Sequence, residues 1–172
     1  MTDIKDDIAI GHYYRGYILD AFIQLEMAIN QYIVTYFLND DKKSFELTFT
    51  ILDRMSFRDK KDSFKSILDK LGMKNQFITT KKETNPINAL LNEIQLLGEI
   101  RNQFAHYYLI AVLPFDDFSE SGKVITLAKF KDRFEVKSYS EKELKDLIIR
   151  INKAEEKVND LRKKIPLPEP FQ

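Results

Sequence analysis

No cysteine occurs in the 172 residues, which removes disulfides and thiolate metal sites and fits a reducing cytoplasm. Glycine and proline are scarce, five of each, so long helices joined by short connections are expected rather than a many-stranded sandwich. Neither sign of charge is in excess: 27 Lys and Arg stand against 27 Asp and Glu. Such a chain lacks the broad electrostatic footprint of a nucleic-acid binder, although a local phosphate site needs only a few residues. No apolar run reaches the roughly 18 residues of a membrane span. The opening "MTDIKDDIAIGHYYRG" is acidic and polar where a signal peptide is basic and then apolar. These absences lead to the expectation of a soluble cytoplasmic protein that does not bind membranes.

Hydrophobic residues make up 44% and charged residues 31%, the composition of a globular protein. The length suits a single domain, 1–172, with a proper core. In "YRGYILDAFIQLEMAINQYIVTYFL", Ile18, Phe22, Leu25, Ile29, Ile33 and Phe37 repeat every three or four residues and mark one face of a helix. Asn39 to Asp41 form a polar break, and a shorter apolar run follows from Phe45 to Met55. Ser56 with Asp59 has the spacing of a capping box, which opens a helix striped by Phe57, Phe64, Ile67, Leu68 and Leu71 and closed by Gly72. After the polar connection "MKNQFITTKKET", Asn85 as cap and Pro86 in the first helical position begin another helix. Its periodicity predicts a run from Pro86 to about Leu113, stopped by Pro114. "FDDFSESG" is a loop, and "KVITLAKF" and "FEVKSYS" predict a two-stranded hairpin over residues 122–138. Ser140 and Glu143 form a second capping box before a last helix, about 140–164, that carries Leu144, Leu147, Ile148, Ile151 and Leu161. A loose Pro-rich tail, 165–172, ends the chain. The expected fold class is mainly all-α: an antiparallel bundle of four to five helices, core helices over 12–113, with a small β-hairpin insertion before the last one.

Winding Pro86 to Leu113 into a helix sorts its residues into two lines. One reads Ile87, Leu91, Ile94, Gly98, Arg101, Ala105, Tyr108, Val112; its neighbour reads Asn88, Asn92, Gln95, Glu99, Asn102, His106. The first is a core stripe interrupted by Arg101, with small Gly98 and Ala105 one turn away, which would leave space beside the guanidinium. The second is polar throughout. Arg101 and His106 lie about 140° apart around such a helix and about 7.5 Å apart along it, so one copy makes a sparse site. Two copies across a symmetric dimer would gather two arginines and two histidines in one cleft. An arginine there can also pair with a carboxylate such as Glu99, and a histidine can simply face solvent.

"RNQFAHYY" resembles the signature of the HEPN superfamily, small helical domains of bacterial toxins and defence proteins. That signature is an arginine, usually followed by a polar residue, and a histidine a few residues on. Arg101, Asn102 and His106 match it, with four residues between Arg101 and His106. Tyr108 matches the tyrosine two places after the histidine in the branch paired with a nucleotidyltransferase antitoxin. "RMSFRDKKDSFKSIL", with Ser56, Phe57 and Lys60, also looks like a common HEPN arrangement. The resemblance covers about residues 12–113. It implies a homodimer with a metal-independent endoribonuclease site, needing no cofactor, at the interface. His106 would move the proton of the 2′-hydroxyl or of the leaving oxygen. Arg101 would hold the scissile phosphate. Asn102 would orient either one from the face it shares with His106. RNA is then the substrate, and an antitoxin such as a nucleotidyltransferase is an expected partner. Mannitol-repressor-like proteins carry a similar run, Arg-Asn, any residue, then Phe-Ala-His, which implies the alternative: a non-catalytic dimer that binds a protein or regulates transcription.

Three other features remain open at this level. His12 to Arg15, "HYYR", is either a base-stacking surface or the start of an amphipathic helix. Glu26 stands among apolar neighbours, where a pairing with Arg101 is one option. Tyr108 is expected to pack in the core, with modification by a partner enzyme as the second reading.

Overall fold

Ser56 and Ser140 start helices with the capping boxes that the sequence spacing requires. Ser56 Oγ accepts from the backbone N–H of Asp59 at 3.2 Å, and the Asp59 carboxylate accepts from the Ser56 backbone N–H at 3.3 Å. Ser140 and Glu143 repeat the arrangement at 3.3 and 2.7 Å. Both boxes satisfy amides that the first helical turn leaves without a backbone partner. Asn85 does the same, its Oδ1 accepting from Ile87 N–H at 2.9 Å. Gly72 takes a positive φ of 64° just past the end of its helix, a conformation free of strain only for a residue without Cβ.

The structure, a computed structural model, describes residues 4–38, 40–73, 85–110, 123–130 and 134–166. Along the chain these form α1 (Ile4–Phe37), α2 (Asp41–Thr50), a 3₁₀ turn (Leu52–Arg54), α3 (Phe57–Lys70), α4 (Pro86–His106), β1 (Tyr108–Ile110), β2 (Lys123–Lys129), β3 (Glu135–Ser140) and α5 (Glu141–Arg162). The chain is mainly helical, with a small antiparallel sheet before the last helix, as composition and periodicity led one to expect.

Helix α1 begins at Ile4, ahead of the run from Tyr14 that the sequence marked. Helix α4 ends at His106, not near Leu113. Tyr108 to Ile110 leave the helix because β2 offers them a ladder, with Tyr108 opposite Ala128 and Ile110 opposite Thr126. The expected hairpin is therefore a three-stranded sheet in the order β1-β2-β3. The loop "FDDFSESG", the connection from Lys74 to Thr84 and the tail from Leu167 lie outside the described residues.

The chain divides into two compact units, residues 1–23 with 99–152 and residues 24–98 with 153–172. In the first, strand alternation sends Leu109, Ile125 and Leu127 to one face of the sheet. A Cβ on Gly11 would stand 3.4 Å from both Leu109 methyl groups, so α1 lies directly against that strand. Phe104 of α4 is fully buried there, with the Tyr139 ring 5.2 Å away.

In the second unit, Leu25, Ile29, Tyr32 and Ile33 are buried, as are Phe64, Ile67 and Leu68. Phe37, assigned by its spacing to the same stripe, is exposed at the last position of α1. The Tyr32 ring meets Phe64 edge-on at 4.7 Å, and its hydroxyl donates to Met73 Sδ at 3.6 Å. Burial pushes that phenol up to about 12. On α4 the buried positions are Ile87, Leu90, Leu91, Ile94 and Leu97. Asn30 is buried, and its Oδ1 has no hydrogen-bond partner among the described residues.

Candidate functional site

Every residue of the polar line of α4 is exposed: Asn88, Asn92, Gln95, Glu99, Asn102 and His106. The apolar line behaves differently along its length. Ile87, Leu91 and Ile94 are buried, whereas Gly98, Arg101 and Ala105 are half-buried. Asn102 and His106 therefore stand one turn apart on a solvent-facing line, with Arg101 on the flank between that line and the buried side. Asn102 and His106, two exposed side chains in the last two turns of one helix, are open to solvent, and Arg101 is half-buried beside them.

What fastens this helix end was not visible in the sequence. Arg15 on α1 donates from Nη2 to the backbone carbonyl of Ala105 at 3.3 Å. That carbonyl belongs to the last turn, where backbone acceptors run out of helical donors and a cation is favoured. The Tyr139 hydroxyl on β3 donates to Gln103 Oε1 at 2.8 Å, and the Tyr107 hydroxyl donates to Glu135 Oε2 at 2.8 Å. The Glu135 bond raises the Tyr107 phenol, and burial is the first cause that raises Tyr139. Helix α1 and strand β3 thus each grip a residue beside His106. A neighbouring contact ties Tyr14 of α1 to α5: its hydroxyl donates to Glu141 Oε1 at 2.9 Å. Lys145, with Nζ 2.7 Å from that same oxygen, lowers the Glu141 carboxyl, and the Tyr14 bond lowers it further.

The other residues that the sequence singled out separate clearly. Tyr108 is not on the helical apolar line; it opens β1 and is 66% exposed. Its ring packs on Phe130, centroid to centroid 5.7 Å, and not in the core. Glu99 is exposed on the polar line. Lys60 belongs to the second unit, where its Nζ lies 2.6 Å from Glu26 Oε1. Its side chain is spent on that ion pair. The space expected at Gly98 is also taken: a Cβ there would meet Phe57 Cε1 at 2.9 Å. Of the "HYYR" run, His12 and Tyr13 are exposed, Arg15 is the clamp on Ala105, and Tyr13 stacks on Tyr17 at 6.4 Å.

Among the described residues, no three His, Asp or Glu side chains are grouped to hold a metal ion, and no helix is long and apolar enough to cross a membrane. A groove of about 510 Å³ in the second unit, lined by residues such as Ile33, Tyr36, Leu47 and Ile67, includes none of Arg101, Asn102 and His106. No protein family, curated protein or solved structure matches the chain.

Proposed function

We propose that the chain is a HEPN-type endoribonuclease that works in the cytoplasm as a homodimer and cuts RNA without a metal, as a toxin or phage-defence effector. The observation that carries this reading is the exposure of Asn102 and His106 side by side on the last turns of α4, with Arg101 beside them. In the reaction, the 2′-oxygen attacks the adjacent phosphorus and the bond from phosphorus to the 5′-oxygen breaks. One histidine takes the 2′-hydroxyl proton and a second protonates the leaving 5′-oxygen, which leaves a 2′,3′-cyclic phosphate and a 5′-hydroxyl. A single chain brings one His106; the dimer supplies the other. Arg101 neutralises the charge that gathers on the phosphate oxygens, and its planar fork suits two of them. A nucleotidyltransferase antitoxin is the partner this reading favours.

The test is direct. Purified protein, its Arg101→Ala variant and its His106→Ala variant are incubated with total RNA in the presence of a chelator, and the new ends are analysed. The expected result is cleavage by the parent alone, giving 2′,3′-cyclic phosphate ends. Intact RNA with all three proteins would reject the nuclease. One observation favours the second reading, a non-catalytic dimer that binds a protein or regulates transcription: the chain's formal net charge is zero, which gives RNA little long-range attraction.

A further inference from the structure

Tyr108, Phe130 and Phe134 are 66%, 61% and 63% exposed, yet their rings form a continuous row. Centroids lie 5.7 Å apart from Tyr108 to Phe130 and 5.5 Å apart from Phe130 to Phe134. The register explains how they meet. Tyr108 is opposite Ala128, and Ala128 is opposite Val136; residues directly opposite in a ladder share a face. Continuing the alternation two residues beyond Ala128 and two before Val136 brings Phe130 and Phe134 to that same face. It is the face away from Leu109 and Leu127. Large aromatic side chains gain most by burial, so three in contact at the surface mark a place for a ligand. The rings meet at 57° and 42° and not face to face, so their planes are not used up on one another.

We propose that this aromatic row is the platform on which unpaired bases of single-stranded RNA stack. The inference rests on the ribonuclease reading, because continuity with His106 is what selects RNA as the occupant. Tyr108 follows His106 by two residues, at most about 7 Å of chain, so the row begins close to the residue that acts on the phosphate in the ribonuclease reading. Aromatic planes hold bases of any sequence, and the bases of a duplex are already stacked on each other. Stacking also supplies a grip that a chain with no net charge does not get from phosphate contacts.

The test uses full-length protein carrying His106→Ala, so that cleavage does not consume the probe, and a fluorescein-labelled single-stranded oligoadenylate followed by anisotropy. Binding is expected, with little dependence on salt. Phe130→Leu and Phe134→Leu each keep the apolar bulk but lose the ring plane, and each lowers affinity at least about fivefold. Phe134→Tyr retains it, and a duplex RNA of the same length binds more weakly and ignores all three changes. The platform is overturned if the oligoadenylate does not bind, or if both leucine variants bind it like the parent. It is equally overturned if those variants change only the oligomeric state in sedimentation, which would make the row a protein interface. The two readings fail separately. A protein that holds the strand through its rings and never cuts it, with His106 restored, keeps the platform and loses the nuclease. Cleavage that needs His106 and ignores the leucine variants keeps the nuclease and loses the platform.

Discussion

Lys60 holds its Nζ 2.6 Å from Oε1 of Glu26 while only 3% of the lysine side chain remains exposed. A charge so far out of water is tolerable because its partner is close, and the cost appears when one member is removed. Lys60→Met should destabilise the protein by about 2–3 kcal/mol, below the range for a fully buried pair because Glu26 keeps 18% of its side chain in solvent. Adding Glu26→Gln to Lys60→Met should recover part of that loss. Denaturant melts of the two single variants and the double variant measure it; additive losses would mean the pair is not coupled.

Arg15 reaches Ala105 across 90 residues of sequence. Arg15→Ala should leave that carbonyl without its charged donor and loosen the last turn of α4, at a cost of about 1–2 kcal/mol since the bond is partly solvated. Hydrogen exchange at Tyr107, whose N–H bonds Gln103 O at 2.9 Å, should quicken. On the ribonuclease reading, cleavage should fall as well, through misplacement of His106 with the imidazole itself intact. Unchanged exchange at Tyr107 would show that the turn holds without Arg15.

Gly98→Ala sets two effects against each other. Alanine improves helix propensity by about 1 kcal/mol, but its Cβ would press on Phe57 at 2.9 and 3.0 Å, and overpacking of this kind costs about 1–3 kcal/mol. The single substitution should be neutral to destabilising. In a Phe57→Leu background the same change should stabilise, because the ring edge is gone. Equal effects in the two backgrounds, read from melting temperatures, would contradict the contact.

The Tyr32 phenol, held at about 12 by burial, ties stability to alkaline pH. Its folded value lies above that of the unfolded chain, so its contribution is complete below about pH 10 and is lost as pH rises toward about 12. Melting temperature should therefore drop across that window, and Tyr32→Phe should drop less. Tyr139, raised by burial first and then by Glu143, keeps part of the slope in the variant. Parallel curves for parent and variant would remove Tyr32 from the account.

The local signals in the sequence were those that act over three or four residues. The two capping boxes, the Asn85–Pro86 start and the Gly72 stop depend on neighbours in the chain, and each stands where its spacing put it. The same reasoning separated the exposed line of α4 from the buried one. It ran past His106 because "YYLI" continues the helical spacing, and only the ladder to Thr126, Leu127 and Ala128 draws Tyr108 to Ile110 into a strand. Contacts that join distant segments left no periodic trace. Arg15 read as part of an aromatic helix start, the pairing of Lys60 with Glu26 had no signal, and Gly98 read as open space until Phe57 was placed beside it.

Only Tyr107 separates the end of α4 from the start of β1, and this makes chain length a structural constraint. A residue inserted or deleted there would either turn every side chain of β1 to the opposite side of the sheet or shift its pairing with β2 by one place. Leu109 would lose its seat beside Gly11, and Tyr108 would leave the aromatic row. The motif and the sheet are thus phased to one another. Variation between His106 and Tyr108 should be confined to substitution, while changes of length are accommodated elsewhere in the chain.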